Sequence, residues 1–442
     1  MIKKILYYKS IPALIEKERV DIALYSDFKV LPQRRFNILL IRRRMEDSGD
    51  FIVITVNGPD AQGIVSSFTS ILSENEVRIV DIEQIVIHNL ILLSMLLDLR
   101  QSKGGQISLL KDLLLEAKRL NVDLDFKVAS RDDQLQYDNN FLYAITCLGD
   151  KITADVLARI SRAMYSENVN IERIRQLSQG ELSCVEMIVN TDKSINVRDI
   201  TRKLLSISSE FGVDIAVQKE NIFRRSKRLV VMDMDSTLIQ VEVIDELAKA
   251  AGGGDEVSAI TRRAMNGEIG FNESLDKRVQ LLAGLDKEAL DKIYNNIPFT
   301  PGAKKFIKIL KKIGYKTAVI SGGFTFFTDR LKKELGLDYA FANNLEIKDG
   351  KITGKVTGRV INGEFKAKIL EDIANKEDIT LDQVVAIGDG ANDLLMLDKA
   401  GLGIAFNAHK AVREKADYNI SQKNMDSILY LLGISEKEKN TI

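Results

Sequence analysis

The chain has 442 residues, with 63 Lys plus Arg balanced by 63 Asp plus Glu and a formal charge of zero. That length suits about three domains, and the charge balance gives no global field toward nucleic acid or an anionic membrane. The only cysteines, Cys147 and Cys184, sit in apolar segments and read as buried thiols of a reducing compartment, while His88 and His409 are too few for a histidine metal site or triad.

Residues 1–48 carry no assignable function. Residues 11–24 read as a helix and 36–41 as a strand, ahead of Arg42-Arg43-Arg44. The start lacks a secretory leader pattern, and no apolar stretch reaches the ~18 residues of a spanning helix. The expectation is a soluble, cytoplasmic protein.

From Asp50 the pattern clears. Residues 51–56 read as a strand, Asn57-Gly58-Pro59-Asp60 as a turn that could also cap a helix, and Ile64, Val65, Phe68, Ile71 and Leu72 fall at helical spacing. Strands over 77–87 and 90–99, a helix over 107–120 and a strand over 122–128 complete the order βαββαβ, a ferredoxin-like sandwich. The order returns with strand 142–148, helix 154–164, strands 169–176 and 182–189, helix 197–211 and strand 214–218, which indicates a duplicated module. The pair resembles tandem ACT-type regulatory domains, through the turn Gly58-Pro59-Asp60-Ala61-Gln62-Gly63-Ile64. The resemblance implies an amino-acid effector near Asn57, Asp60 and Gly63, where Gly63 would let the backbone approach it. The second unit has Thr153 where the later glycine would fall. Without a ligand, such units serve packing and dimerisation, and a homodimer is expected.

The short basic cluster Arg224, Arg225, Lys227, Arg228 reads as a solvated linker. Beyond it strands and helices alternate, with parallel strands over 229–233, 316–321, 384–389 and 402–405 and helices over 304–313, 327–335 and 368–374. This is the pattern of a Rossmann-like, doubly wound α/β sheet. A nearly all-helical insertion over 242–296 falls where a lid would sit, and 345–360 reads as a hairpin turned at Asp349-Gly350.

Four motifs fall at or near the carboxyl ends of these strands, where open α/β sheets bind ligands. Asp233-Met234-Asp235-Ser236-Thr237 puts two acids two residues apart, facing one crevice if the backbone stays extended. Ser321-Gly322-Gly323 offers donors to phosphate oxygens with no side chain in the way. Lys366, expected just before a helix, supplies a cation. Gly388-Asp389-Gly390-Ala391-Asn392-Asp393 supplies hard oxygen ligands of the kind magnesium takes. Each motif alone is commonly a turn, a loop or a surface residue; their co-occurrence points to phosphoryl transfer.

Together these motifs resemble the haloacid-dehalogenase-like (HAD) phosphohydrolases, with their Asp-x-Asp-x-Thr, Ser or Thr, Lys and Gly-Asp-x-x-x-Asp. Within them, Glu242, Met265-Asn266-Gly267-Glu268 through Phe271, Ser274-Leu275, Arg278-Val279 and Phe324 resemble the phosphoserine phosphatases. The resemblance implies hydrolysis of O-phospho-L-serine to L-serine and phosphate, the last step of serine biosynthesis. Asp233 would be the nucleophile and Asp235 the acid and base. Mg2+ would be held by Asp233, the carbonyl of Asp235 and Asp389, with Asp393 orienting its sphere. Ser321, Gly322 and Lys366 would hold the phosphoryl oxygens, supported by Asn392. Glu242 would pair with the substrate ammonium and Arg278 with its carboxylate, while Met265 and Phe271 wall the lid. The expected layout is 1–48, ACT-like units at 49–130 and 140–222, and a HAD-type domain at 228–435 with a helical cap at about 242–297. Competing readings are a phosphatase for another small phosphorylated metabolite, and an amino-acid sensor whose phosphatase core is inactive.

Overall fold

A computed structural model of the protein describes residues 51–103, 105–129, 142–180, 182–191, 197–265, 268–408, 410–413, 416 and 418–442. The helix and strand expected within 1–48 lie outside the described residues. The chain divides into two units, 1–138 and 139–442. No helix among the described residues is long and apolar enough to cross a membrane.

The first unit runs β1 (Phe51–Pro59), α1 (Ile64–Glu74), β2 (Arg78–Ile87), β3 (Leu90–Asp98), α2 (Gln106–Arg119) and β4 (Asp123–Val128). Its antiparallel sheet has the order β2-β3-β1-β4. Alternate residues Ile52, Ile54 and Val56 of β1, with Ile91, Leu93, Met95 and Leu97 of β3, pack against Phe68, Leu72, Leu109 and Leu113 of the helices. The turn expected at Asn57 to Asp60 begins later than the sequence suggests. Asn57, Gly58 and Pro59 continue β1 opposite Leu92, Ile91 and Leu90. Neighbours on both sides hold that stretch extended, and Gly58 is needed because a Cβ there would meet Val122 Cγ1 at 2.9 Å.

The second unit opens with the same order: β5 (Leu142–Gly149), α3 (Ala154–Ser166), β6 (Asn170–Gln179), β7 (Ser183–Asn190), α4 (Val197–Phe211) and β8 (Asp214–Lys219), with sheet order β6-β7-β5-β8. Thr153 caps α3 by accepting the Val156 N–H at 3.4 Å. Its outer sheet face is covered by the end of the chain. Leu148, Leu177 and Cys184 pack on Tyr430, Gln218 donates to the Leu431 carbonyl at 3.1 Å, and Asp214 accepts the Ser421 N–H and hydroxyl at 2.9 and 2.8 Å. The supposed basic linker contributes too: the short helix α5 (Ile222–Arg225) buries Arg224 against Glu186 at 2.6 Å. Arg224 is therefore an interior ion-pair partner rather than a solvated charge. Cys147 and Cys184 are free and buried, as expected.

The rest is a seven-stranded sheet of order β12-β11-β10-β9-β13-β14-β15. Its strands are β9 (Leu229–Met232), β10 (Lys316–Phe324), β11 (Tyr339–Lys348), β12 (Lys351–Thr357), β13 (Val384–Gly388), β14 (Leu402–Phe406) and β15 (Tyr418–Ile420). All neighbouring pairs are parallel except β11 with β12. Leu229, Val231, Ala318 and Ile320 point into one helical layer, Val230, Met232 and Val319 into the other, which is why these strands read as unbroken apolar runs. After β9 comes the helical insertion, α6 (Val243–Ala251), α7 (Gly254–Met265), α8 (Phe271–Gln280) and α9 (Glu288–Asn296); α10 (Ala303–Lys312), α11 (Thr325–Leu335) and α12 (Gly363–Lys376) flank the sheet. Backbone bonds tie the insertion at its neck, Gln240 N–H to Pro298 O at 2.9 Å and Thr300 N–H to Leu238 O at 3.1 Å. The β11–β12 hairpin braces its far end, with Gly284 N–H to Ile352 O and Lys287 N–H to Gly350 O, both 2.8 Å. The hairpin turns at Asp349-Gly350, both with positive φ, as expected.

Candidate active site

The central strand β9 has β10 on one side and β13 on the other, so the loops after all three open at one end of the sheet. β9 stops at Met232, and Asp233 stands just beyond it. The following turn carries Ser236 at φ 54°, a strained value for a residue with a side chain. Between the two acids Met234 leaves the extended conformation, and they take different partners within one crevice. Asp233 Oδ2 lies 2.9 Å from Lys366 Nζ and its Oδ1 accepts the Met234 N–H at 2.7 Å. Asp235 instead accepts the Val243 N–H at 2.8 Å and the Ser321 hydroxyl at 2.9 Å.

Lys366 lies inside the first turn of α12, not ahead of the helix, because Asn362 caps α12 by accepting the Phe365 N–H at 3.0 Å. The lysine is fully buried between Asp233 and Asp393, with Asp393 Oδ1 at 2.7 Å. Asp393 also accepts the Gly390 N–H at 3.0 Å, fixing the loop after β13. Asp389 accepts the Thr237 hydroxyl at 2.8 Å. Oxygens of Asp233, Asp389 and Asp393, all buried, lie within 4.8 Å of one another, which is a three-carboxylate set fit for a hard divalent cation. The Asp235 carboxyl is not in that set, since Ser321 and Val243 hold it.

After β10, Ser321 accepts the Gly323 N–H at 2.8 Å while donating to Asp235. Gly323 is forced, because a Cβ there would fall 2.8 Å from Asp235 Oδ2 and 3.0 Å from Ser321 Oγ. Over Gly322 stands Phe271, whose Cζ would be 3.1 Å from an added Cβ, with Asn392 Nδ2 at 3.9 Å. The lid aromatic, the glycine and Asn392 thus meet, as the sequence reading requires. Met265 ends α7, and its side chain lies outside the described residues. Glu242 accepts the Ser236 hydroxyl at 2.9 Å, and Arg278 on α8 donates Nε to the Ser274 carbonyl at 3.3 Å. The sequence reading missed several supports. Asn343 bridges the Gly322 carbonyl and the Ile361 N–H, both at 2.8 Å, and Thr300 donates to the Thr237 carbonyl at 2.7 Å. Asp245, one turn after Glu242, was missed as well. None of these has a local pattern that distinguishes it from a loop or surface residue.

Electrostatically the site is rich in acids. Burial, and then Asp393, push Asp233 well above the ordinary carboxylate range, with Lys366 pulling it back. Burial and Glu242 push Asp235 to about 8; burial and Asp233 push Asp389 to about 8. With no cation bound, burial thus favours the protonated forms of Asp235 and Asp389. Burial also raises Glu242 and lowers Arg278, whose charge Glu242, Asp245 and Asp235 sustain in that order. In the first unit Asn57, Asp60 and Gly63 are all exposed, and Gly63 precedes α1 with φ 93°.

Comparison with known proteins is consistent with this arrangement. Residues 227–401 match the sequence model of haloacid dehalogenase-like hydrolases, and residues 50–127 and 142–218 match ACT domain models. The chain is similar to the phosphoserine phosphatase of Streptomyces coelicolor, 41% identical over 387 residues that cover 88% of this chain and 93% of that one. The Mycobacterium tuberculosis phosphoserine phosphatase is 38% identical, covering 88% and 94%. Among solved structures, the unliganded probable phosphoserine phosphatase of Vibrio cholerae shares 33% identity with a TM-score of 0.54, covering 68% of this chain and 89% of that one.

The buried acids set a pH signature. Unfolded, Asp235 and Asp389 return to about 3.8; folded, each holds its proton to about 8. Between those values the folded chain binds more protons than the unfolded one, so this contribution to stability falls as pH rises. In chelator, the melting temperature should drop from about pH 6 to about pH 8, and magnesium should flatten the slope by favouring the ionised acids. A chelated protein that melts higher at pH 8 than at pH 6 contradicts this assignment.

Proposed function

The chain belongs to the phosphoserine phosphatase family of haloacid dehalogenase-like hydrolases, and from that premise we propose how its residues divide the work. Its activity is hydrolysis of O-phospho-L-serine to L-serine and phosphate. The observation that best supports the residue roles is the contrast between two acids in one crevice: Asp233 against Lys366, and Asp235 against the Ser321 hydroxyl and the Val243 N–H.

In this reading an Asp233 oxygen attacks phosphorus while the bond from phosphorus to the seryl oxygen breaks. Asp235 gives its proton to that leaving oxygen, releasing serine and an aspartyl phosphate. Asp235, now ionised, takes a proton from water as the water oxygen bonds to phosphorus; the phosphorus–Asp233 bond breaks and phosphate leaves. Lys366, the Ser321 hydroxyl and the backbone at Gly322 neutralise and orient the phosphoryl oxygens, and Asn392 supports them. Asp233, Asp389 and Asp393, with the Asp235 carbonyl, would hold Mg2+, which when bound offsets the excess of negative charge. Phe271 over Gly322 keeps water from the reacting atoms. Glu242 and Arg278 select the amino-acid end.

Asp233→Asn should lower phosphate release at least about a thousandfold with an unchanged circular dichroism spectrum. Full turnover by that variant would refute the covalent route. Arg278→Ala should cost phosphoserine about tenfold to a hundredfold in kcat/KM and p-nitrophenyl phosphate little. Equal losses on both would remove Arg278 from carboxylate recognition.

The ACT-like units are assigned to amino-acid binding and to a homodimer. Supporting the dimer, the outer face of β2 and β3 in the first unit exposes Ile85, Ile87, Leu90 and Leu92, while the second unit's matching face is covered by its own chain. Light scattering should give twice the chain mass, falling to one in Ile85→Lys/Leu92→Lys. Calorimetry with serine or glycine should show a heat that Gly63→Val removes. A monomeric wild type sinks the dimer, and no heat sinks the effector.

A further inference from the structure

The amino-acid end of the pocket holds an acceptor that the roles above leave unused. Asp245 stands one turn after Glu242 at the start of α6, its N–H donating to the Glu242 carbonyl at 3.1 Å. Its Oδ1 is buried and has no hydrogen-bond partner. Neither nearby cation donates a hydrogen bond to it. Lys249 pairs with Glu246 at 2.6 Å, and Arg278 turns its Nε to the Ser274 carbonyl. Asp245 nevertheless lies at the amino-acid end, within one turn of Glu242 and near enough for its charge to act on both Glu242 and Arg278. A second unpartnered oxygen, the fully buried Ser274 hydroxyl, lies one turn from Arg278 on α8.

A buried carboxylate oxygen without a donor is costly and rare in folded proteins, and at a binding site the missing donor belongs to the ligand. A substrate ammonium brings three N–H donors. Glu242 alone cannot meet them all, because the three N–H bonds of an ammonium diverge and one carboxylate lies on one side of it; its Oε1 also accepts the Ser236 hydroxyl. Neighbouring Glu246 serves the other purpose an acid has at a helix start: it is solvent-facing and paired with Lys249. Asp245 differs from it in having a buried oxygen with no donor.

We propose that Asp245 is a specificity-determining residue whose Oδ1 accepts a hydrogen bond from the substrate ammonium, beside the one Glu242 accepts. The proposal rests on the phosphoserine reading of the same site. Asp245 takes no part in phosphoryl transfer, so its removal is felt only by substrates that carry an ammonium.

The test is kcat/KM of the full-length enzyme with magnesium on four phosphate esters. O-phospho-L-serine has both groups, O-phosphoethanolamine only the ammonium, 3-phosphooxypropionate only the carboxylate, and p-nitrophenyl phosphate neither. Asp245→Asn, with Asp245→Ser as a second variant, should lose about tenfold to a hundredfold on the first two and less than about threefold on the others. The p-nitrophenyl phosphate rate also reports that the variant is folded. Equal losses on all four mean a structural role and overturn the proposal. Losses confined to the two carboxylate substrates mean that Asp245 only positions Arg278, and overturn it too. A wild type that prefers phosphoserine to 3-phosphooxypropionate, with variants that keep the preference, sinks the Asp245 role alone. A wild type without that preference sinks the substrate reading and the proposal with it.

Discussion

Lys366 is the point on which the site turns. It is a fully buried ammonium held between Asp233 and Asp393, and a buried cation survives only when its charge is matched. By pairing with both acids it ties the loop after β9 to the loop after β13, while its own place in α12 is set by the Asn362 cap. The other supports extend the same logic. Thr237 holds Asp389, Ser321 holds Asp235, and Asn343 ties the Gly322 carbonyl to Ile361. The geometry is therefore fixed before any ligand arrives, as electrostatic catalysis requires.

That preorganisation leaves the pocket acidic. Asp233, Asp235, Asp389, Asp393 and Glu242 outnumber Lys366 and Arg278, and burial raises the affinity of most of these acids for protons. The excess is divided by environment. Three carboxylates share one small volume suited to a cation, whereas Asp235 is turned from them by the non-extended backbone at Met234 and held by Ser321 and Val243. Two acids two residues apart thus stand in different surroundings, one beside Lys366 and the other beside Ser321.

What was legible in the sequence follows from how each residue is held. Strands buried on both faces, such as Leu229 to Met232 and Val384 to Gly388, announce themselves as apolar runs, and glycines beside acids mark the loops between them. The site motifs were readable because their residue types are required by the chemistry. Residues that only satisfy other groups were not readable. Asn343 sits inside β11, just after the apolar run Tyr339 to Ala342 and beside a second asparagine, and what marks it out is only that two loop backbone groups take it as their partner. Asp245 resembles any first-turn helix acid until its surroundings are seen. Asn57 to Pro59 reads as a turn by composition, yet pairing with β3 and β4 overrides that preference.

The two ferredoxin-like sheets show how one pattern is put to two uses. In the second unit the outer face carries buried polar residues, among them Glu186, Asp214 and Gln218, each with a fixed partner in the same chain. Such groups can be buried only where their partners are permanently in place. In the first unit the comparable face is apolar and exposed, with Ile85 and Ile87 opposite Leu92 and Leu90. Apolar surface needs no directional partner, so it suits contact with a separate molecule that must assemble by complementarity of area. The face with specific polar bonds is the one closed by its own chain, and the face without them is the one left apolar and exposed.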